Sequence, residues 1–170
     1  WFYAKQGKAT AFSEKAGKLK TKTNPYKELF KQGATLVPRG FYFVELTQEV
    51  PDFEDRILQI KTADAIKPDS KQPWKDAIDF RGQIESQYLF NTALSRSILP
   101  FTLYKPDLVV LPIIIKHADG FKEITLLTAD EIQKQGYINA SNWFHNVERI
   151  WELLRTEKSR DMSSNDRIDF

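Results

Sequence analysis

The hydrophobic pattern changes period within the stretch Tyr26 to Leu46, and the first part of it is helical. Tyr26, Leu29 and Phe30 recur at the spacing of one helix face, with charged residues between them. Asn24 is a residue type that caps helices, and Gly33 suits the position just past a helix end. The pattern therefore predicts a short helix that ends before Gly33.

The second part of this stretch is typical of strands. Pro38 stops any continuation of the helix, and residues 41–46 are apolar on both alternating faces apart from Glu45. Residues 56–62 then alternate cleanly, with Leu58, Ile60 and Thr62 on one face. We predict two neighbouring strands that pair, the first of them covered on both sides.

The middle of the chain alternates between loop and apolar segments. Residues 64–76 form a polar loop with two prolines and Trp74, which in a loop more often plugs the edge of a core than contacts a ligand. Residues 81–95 are predicted to be a helix. Apolar segments follow at 98–104, 108–115 and 121–127, and Asp119-Gly120 indicates a hairpin between the last two.

Two helices close the chain. Thr128 and Glu131 have the spacing of a capping box, which predicts a short helix that ends near Gly136. The clearest helix runs from about Ser141 to Lys158, and its apolar stripe consists of Trp143, Val147, Ile150, Trp151 and Leu154. Strands, an intervening helix, more strands and closing helices predict an α+β domain with a mixed, mostly antiparallel sheet and a long amphipathic C-terminal helix.

Length and composition place this domain in the chain. The 170 residues suit one domain, which we assign to residues 26–158, with an N-terminal arm at 1–25 and an exit segment at 159–170. The sequence has no apolar run of the length that spans a bilayer and no cysteine, which favours a cytoplasmic location. Because the chain begins without methionine, we interpret it as a piece of a longer protein.

The charge is concentrated at the N-terminus. Residues 1–31 contain eight lysines and two glutamates, a net charge of +6, so the remaining residues carry −4 of the total of +2. A basic arm of this kind suits a DNA phosphate backbone. The alternative is a solvated terminal segment without a ligand.

The sequence offers little for catalysis or metal binding. His117 and His145 lie far apart with no acidic or cysteine partner at ligand spacing, and the common nucleotide-binding and hydrolase motifs are absent. Asp52 and Lys61 resemble a nuclease metal site only faintly, because the two are close in sequence and a metal-binding carboxylate is missing. Asn24-Pro25-Tyr26 has the types of an adenine-methylating loop, but its roles as helix cap and core contact already explain it.

The order of several short motifs resembles a known family. The longest is Tyr26-Lys27-Glu28-Leu29-Phe30-Lys31-Gln32-Gly33-Ala34-Thr35-Leu36-Val37-Pro38-Arg39, followed by Phe41-Tyr42-Phe43-Val44. The others are Lys71-Gln72-Pro73-Trp74-Lys75, Gly82-Gln83-Ile84-Glu85, Leu99-Pro100-Phe101, Val110-Leu111-Pro112, and two closing motifs, Arg155-Thr156-Glu157-Lys158 and Asp166-Arg167-Ile168-Asp169-Phe170. Together they resemble the target-recognition region of large adenine-specific (N6) DNA methyltransferases of restriction-modification systems, of the type IIG and type I-like classes.

This resemblance implies that DNA recognition and methylation belong to different regions of the parent chain. The region resembling the family docks on double-stranded DNA and reads a short sequence, whereas a methyltransferase catalytic domain of the same parent chain binds S-adenosylmethionine and methylates the adenine. The glycine-rich cofactor motif and the two-proline catalytic motif of that domain do not occur here. We therefore expect no catalytic residue, no metal and no cofactor in this chain.

The candidate DNA contacts are all cationic. Arg39 and Arg81 are candidates for base reading or phosphate clamping, because guanidinium makes two parallel hydrogen bonds. The lysine candidates for phosphate contact are Lys15, Lys18, Lys20, Lys22, Lys61, Lys71 and Lys75. For each lysine a solvated surface role is the alternative, and for Arg39 a structural ion pair with Glu45 or Glu85. The aromatic residues are assigned to the core: Phe41, Phe43, Trp143 and Trp151.

Two other functions remain open at this stage. One is a structural or protein-interaction domain of such an enzyme that does not read bases, which predicts an exposed apolar patch and negligible DNA affinity. The other is a stand-alone nuclease, which depends on Asp52 and Lys61 alone.

Overall fold

The computed structural model describes residues 2–6, 8–13, 35–47, 56–118 and 121–169. The chain divides into two compact units, Trp1–Gln32 and Gly33–Phe170. The lysine candidates at positions 15, 18, 20 and 22, the predicted helix before Gly33 and Asp52 lie outside the described residues. No helix in the described segments combines the length and the apolar character needed to cross a membrane.

The first unit contains one antiparallel hairpin. Its strands are β1 (Phe2–Gln6) and β2 (Ala9–Ser13), paired from Phe2 opposite Ser13 to Gln6 opposite Ala9. The rings of Tyr3 and Phe12 lie 5.6 Å apart as a cross-strand aromatic pair. Such pairs add to hairpin stability.

The second unit contains the other strands and all helices of the described chain. Its strands are β3 (Thr35–Leu36), β4 (Phe43–Leu46), β5 (Ile57–Thr62), β6 (Arg81–Glu85), β7 (Leu89–Thr92), β8 (Ile98–Leu99), β9 (Thr102–Leu103), β10 (Asp107–Val110), β11 (Ile113–Ala118), β12 (Phe121–Leu126) and β13 (Ile168–Asp169). Its helices are α1 (Arg39–Tyr42), α2 (Trp74–Ala77), α3 (Ala129–Lys134) and α4 (Ile138–Leu154). Short 3₁₀ turns occupy Asp64–Asp69, Ser86–Tyr88, Ser95–Ser97, Glu157–Ser159 and Asn165–Arg167.

A five-stranded antiparallel sheet organises this unit, in the order β6-β5-β4-β10-β7. Three further strand pairs are separate from it: β8 with β9, β11 with β12, and β13 with β3. The predicted α+β class with a mostly antiparallel sheet is confirmed. The predicted pairing of the strands at 41–46 and 56–62 is also confirmed, with Val44 opposite Thr62 and Leu46 opposite Ile60.

The alternation of β5 divides the sheet into a core face and an outer face. Ile60 and Thr62 are buried, whereas Lys61 between them is half-buried and Gln59 is exposed, as the period of two requires. Helix α4 packs on the core face, where the Trp143 side chain lies beside Gly82 of β6. On the opposite face of β5 and β6, the exposed residues are Gln59, Arg81, Gln83 and the apolar Ile57.

The strand predicted over 41–46 is only half correct. Residues 39–42 form a single helical turn after Pro38, and the strand begins at Phe43. Phe41 and Tyr42 are buried on every side, so the continuous apolar run carries no period that distinguishes a turn from a strand. The assignment of this stretch to the core is confirmed.

The helix predicted over 81–95 is wrong. The segment contains two strands, β6 and β7, joined by the 3₁₀ turn Ser86–Tyr88. Ile84 and Tyr88 are both buried at a spacing of four, which imitates a helix face. In the structure Ile84 belongs to β6 and Tyr88 to the 3₁₀ turn, so the spacing of four comes from two different elements.

Helix α4 begins three residues before the predicted start and ends four before the predicted end. Its start is fixed by Glu85 of β6, whose carboxylate accepts hydrogen bonds from the backbone nitrogens of Asn139 at 3.1 Å and Ala140 at 2.7 Å. A carboxylate at this point satisfies unpaired N–H groups and complements the helix dipole. The helix ends at Leu154 because Arg155 and Thr156 adopt extended backbone.

Aromatic side chains join α4 to the sheet and loops. Phe41 stacks on Phe80 at 5.8 Å, and Phe80 meets Trp143 edge-on at 5.4 Å. The indole of Trp143 donates to the carbonyl of Phe41 at 3.2 Å, so this buried polar group is satisfied. Burial confirms the core assignments of Phe41, Phe43, Trp143 and Trp151.

Residues after α4 pack back onto the domain. Ile168 of β13 pairs with Leu36, and the Tyr42 hydroxyl donates to the Ser164 carbonyl at 3.2 Å. The indole of Trp151 donates to the Met162 carbonyl at 2.8 Å. The segment predicted to leave the domain is thus fastened to the elements beside α1.

Candidate nucleic-acid interface

A cleft of about 370 Å³ opens between α1 and the segment that leads into α2. Its lining residues are Val37, Pro38, Arg39, Ile66, Ser70, Lys71, Gln72 and Trp74. Two of them are sequence-predicted cations, Arg39 and Lys71, and none of these eight residues is acidic. The cleft therefore combines an apolar floor with a cationic rim.

The floor of the cleft is held by packing and short hydrogen bonds. Ile66 is buried, and the hydroxyl of Ser70 donates to its carbonyl at 3.0 Å, which closes the turn at Asp64–Asp69. Trp74 stacks on Trp151 of α4 at 5.4 Å and meets Phe41 edge-on at 5.7 Å. Trp74 thus plugs the edge of the core, as the sequence favoured, and it also forms one wall of the cleft.

Arg39 is exposed on α1, and its guanidinium carbon lies 5.9 Å from the centre of the Phe43 ring. The two acids that would offer it an ion pair are engaged elsewhere. Glu45 pairs with Lys61 at 2.7 Å, and Glu85 binds the start of α4. Within the described segments no carboxylate pairs with Arg39, which leaves its guanidinium donors at the cleft open to an anion or a base edge.

Lys71 and Lys75 lie on consecutive turns beside the cleft. Both side chains are exposed, and the backbone N–H of Lys75 donates to the carbonyl of Lys71 at 3.1 Å. This turn keeps the two cations one helical turn apart at the start of α2. The structure therefore brings Arg39, Lys71 and Lys75 of the predicted set into one region.

Lys61 and Arg81 occupy a different surface, the outer face of the sheet. They lie opposite each other in the register of β5 and β6, and Glu45 of β4 is the next residue in the same row. The ammonium of Lys61 contacts Asp64 at 2.8 Å as well as Glu45, and hydrogen bonds to these two carboxylates raise the pKa of Lys61. Its charge is locally balanced, whereas Arg81 is exposed.

The outer face also contains two polar residues that the sequence analysis did not single out. Gln59 and Gln83 are exposed and lie directly opposite each other in the register of β5 and β6. Glutamine, like asparagine, can pair with both hydrogen-bonding groups of an adenine edge. The sequence does contain a signal for these two residues. Gln59 lies two positions before Lys61 and Gln83 lies two positions after Arg81, so each glutamine shares a strand face with a candidate cation.

Nothing in the described segments assembles a metal site, since no group of three or more histidine, cysteine, aspartate or glutamate side chains comes together. His145 lies on the surface of α4, 3.4 Å from Asp130 and 3.6 Å from Glu148. His117 is exposed on β11.

Comparison with known proteins returned no match: no protein-family model, no curated protein and no solved structure resembles this chain significantly.

Proposed function

We propose that this chain is the DNA-binding target-recognition domain of a site-specific adenine-N6 DNA methyltransferase of a restriction-modification system. The observation that carries the proposal is the cleft with Arg39 and Lys71 on its rim and no acid in its lining. The ordered motifs over residues 26–170, which resemble the recognition region of these enzymes, supply the class of target.

The contacts divide by chemistry. Lys71 and Lys75 are placed to neutralise neighbouring phosphates, which supplies affinity without sequence preference. Arg39 has a guanidinium without a carboxylate partner among the described residues, and it forms either a bidentate phosphate clamp or a bidentate guanine contact. Gln59 and Gln83 add base-reading amides on the outer face of the sheet.

The proposed role is recognition without chemistry. S-adenosylmethionine binding and methyl transfer belong to a catalytic domain of the same parent chain, which this region would hold against its site on double-stranded DNA.

A second candidate function is a structural or protein-interaction domain of the same kind of enzyme. One observation favours it: the hairpin of β8 and β9 exposes several large apolar side chains. Exposed apolar surface often marks a contact with another protein. This candidate requires negligible DNA affinity, which distinguishes it from the first.

The proposal is tested by fluorescence-polarisation binding of the 170-residue chain to a random-sequence duplex at low salt. We expect Arg39→Ala and Lys71→Ala each to weaken binding, by about tenfold for Arg39 because charged hydrogen bonds are lost. Lys134→Ala is the matched control, since Lys134 is an exposed cation at the end of α3, away from the cleft lining. If all three variants bind like the unmodified chain, the cleft is not the interface.

A further inference from the structure

The hairpin of β8 and β9 forms an apolar finger, residues 98–104. Its strands pair through two positions, Ile98 with Leu103 and Leu99 with Thr102. Four of its large apolar side chains are between 45% and 63% exposed, and Phe101 at the tip is fully exposed at 108%. These are Ile98, Leu99, Leu103 and Tyr104. Contiguous apolar side chains exposed to water do not stabilise the fold, and they commonly mark a contact with another molecule.

The backbone at the tip holds Phe101 in an uncommon conformation. Phe101 has φ of 67°, in the left-handed region that bulky side chains rarely adopt. Such residues concentrate at functional sites, where the surrounding structure imposes the conformation. Here the conformation presents an aromatic ring to solvent at the point of the finger.

Hydrogen bonds and an ion pair hold the base of the finger in place. Ser97 is buried, its N–H donates to the Leu94 carbonyl at 2.8 Å, and its hydroxyl donates to the Lys105 carbonyl at 3.2 Å. The N–H of Tyr104 donates back to the Ser97 carbonyl at 2.8 Å. An ion pair between Arg96 and Asp107 ties the finger to the first residue of β10.

The charges around the finger favour a polyanion as its partner. Arg96 is already paired with Asp107, so the cation available at the finger is Lys105, and residues 98–106 contain no acid. Lys105 lies with its ammonium 5.3 Å from the centre of the Tyr104 ring, at the base of the apolar tip. An apolar point beside a cation matches a base step next to a phosphate backbone.

We propose that the apolar finger is a wedge that inserts Phe101 between neighbouring base pairs from the minor groove and kinks the duplex. This inference rests on the proposed function, because it names how the recognition domain deforms its DNA. Proteins that insert apolar wedges in this way compensate unstacking through the larger surface that the bent duplex contacts.

The topology places the finger and the cleft at opposite ends of the sheet. The cleft adjoins α1, directly before β4, and the finger directly precedes β10, which is antiparallel to β4. Four strand residues span about 13 Å, which corresponds to about four base pairs of duplex. Insertion from the minor groove would turn the duplex toward its major groove, away from the finger.

The test is the end-to-end distance of a 30-base-pair duplex, labelled with a donor and an acceptor fluorophore at its ends, with and without saturating protein. We expect the unmodified chain to increase energy transfer, as a kink of about 20–90° requires. Phe101→Ala should abolish the increase and weaken binding about tenfold. Leu153→Ala, which removes an apolar side chain of α4 that is 71% exposed, should leave both unchanged.

The remaining outcomes separate the wedge from the proposed function. Salt-sensitive binding without a change in energy transfer, equal in the unmodified chain and Phe101→Ala, overturns the wedge and leaves DNA recognition standing. Absence of DNA binding by the unmodified chain overturns both. Loss of self-association or of vesicle binding in Phe101→Ala, with DNA bending intact, also overturns the wedge, because the finger then contacts protein or lipid.

Discussion

At the scale of single residues, Gly40 shows how tightly the turn beneath the cleft is packed. A Cβ atom at this position would lie 3.0 Å from Cγ2 of Ile78, closer than ordinary van der Waals contact. Arg39 and Gly40 are neighbours on α1, and the carbonyl of Gly40 accepts a hydrogen bond from the buried hydroxyl of Thr62 at 3.3 Å. The small residue therefore lets the turn that displays Arg39 lie directly on the core.

Gly40→Ala should destabilise the domain by about 1–2 kcal/mol, because overpacking outweighs the gain in helix propensity. Urea unfolding measures this difference. Gly82→Ala is the matched control, since its Cβ would lie 3.9 Å from the Trp143 ring, an ordinary contact. Equal stabilities for the two variants would contradict the packing at α1.

The residues of the candidate site were only partly predictable. Residue type singled out Arg39, Lys71 and Lys75, because cations are the groups that bind phosphate. The sequence did not place them together, since the cleft depends on how residues 64–74 turn around Ile66. Gln59 and Gln83 were missed because their pairing is a matter of register between strands that are distant in sequence.

At the scale of elements, two carboxylates fix the starts of α3 and α4, the two helices that were predicted near the end of the chain. Glu131 completes the capping box of α3 with Thr128, as predicted, and Glu85 holds the start of α4 from a neighbouring strand. The capping box is local, so the sequence shows it. The contact of Glu85 joins residues 54 positions apart, which explains why the start of α4 was predicted three residues late.

Glu85→Ala should cost about 1–2 kcal/mol of stability, since it leaves the N–H groups of Asn139 and Ala140 without their acceptor. Chemical unfolding followed by tryptophan fluorescence measures it. Gln83→Ala, on the exposed face of the same strand, should change stability by less than about 0.5 kcal/mol. A Glu85 variant as stable as the Gln83 variant would show that α4 does not depend on this cap.

The capping box also predicts a pH dependence. Hydrogen bonds from the backbone and hydroxyl of Thr128 hold the pKa of Glu131 below its usual value of 4.5. This contribution is present above pH 4.5 and is lost as the pH falls through the lower pKa of the folded state. Asp166, whose pKa is lowered by Ser163 in the same way, adds to the loss.

Unfolding curves between pH 6 and pH 3 should therefore show falling stability in the unmodified chain and a shallower fall in Glu131→Gln. The glutamine cannot gain a proton, so its share of the dependence disappears. Curves of equal steepness would mean that the capping box does not form in solution.

Periodic patterns predicted elements well where a segment had one buried face, as in β5 and α4. They failed where burial had no period or a misleading one. Phe41 to Val44 is buried throughout, so a helical turn and a strand look alike. Between Ile84 and Tyr88 a 3₁₀ turn reproduces helical spacing across two strands.

At the scale of the whole molecule, the second unit presents three surfaces of different chemistry: the cationic cleft, the polar outer face of the sheet and the apolar finger. The α+β class followed from the order of the elements. The distribution of the surfaces did not, because it depends on strand order and on loop conformation. The cations at positions 15, 18, 20 and 22 stay predictions.

The measurement that tests the central claim most directly is the slope of log K against log salt for the 170-residue chain on a random-sequence duplex. Each phosphate neutralised contributes about −0.9 to this slope. We predict a clearly negative slope that becomes shallower by about 1.8 in Lys71→Ala/Lys75→Ala and stays unchanged in Lys134→Ala. Undetectable binding at low salt, or a slope that the double variant leaves unchanged, would contradict the assignment of this cleft to DNA.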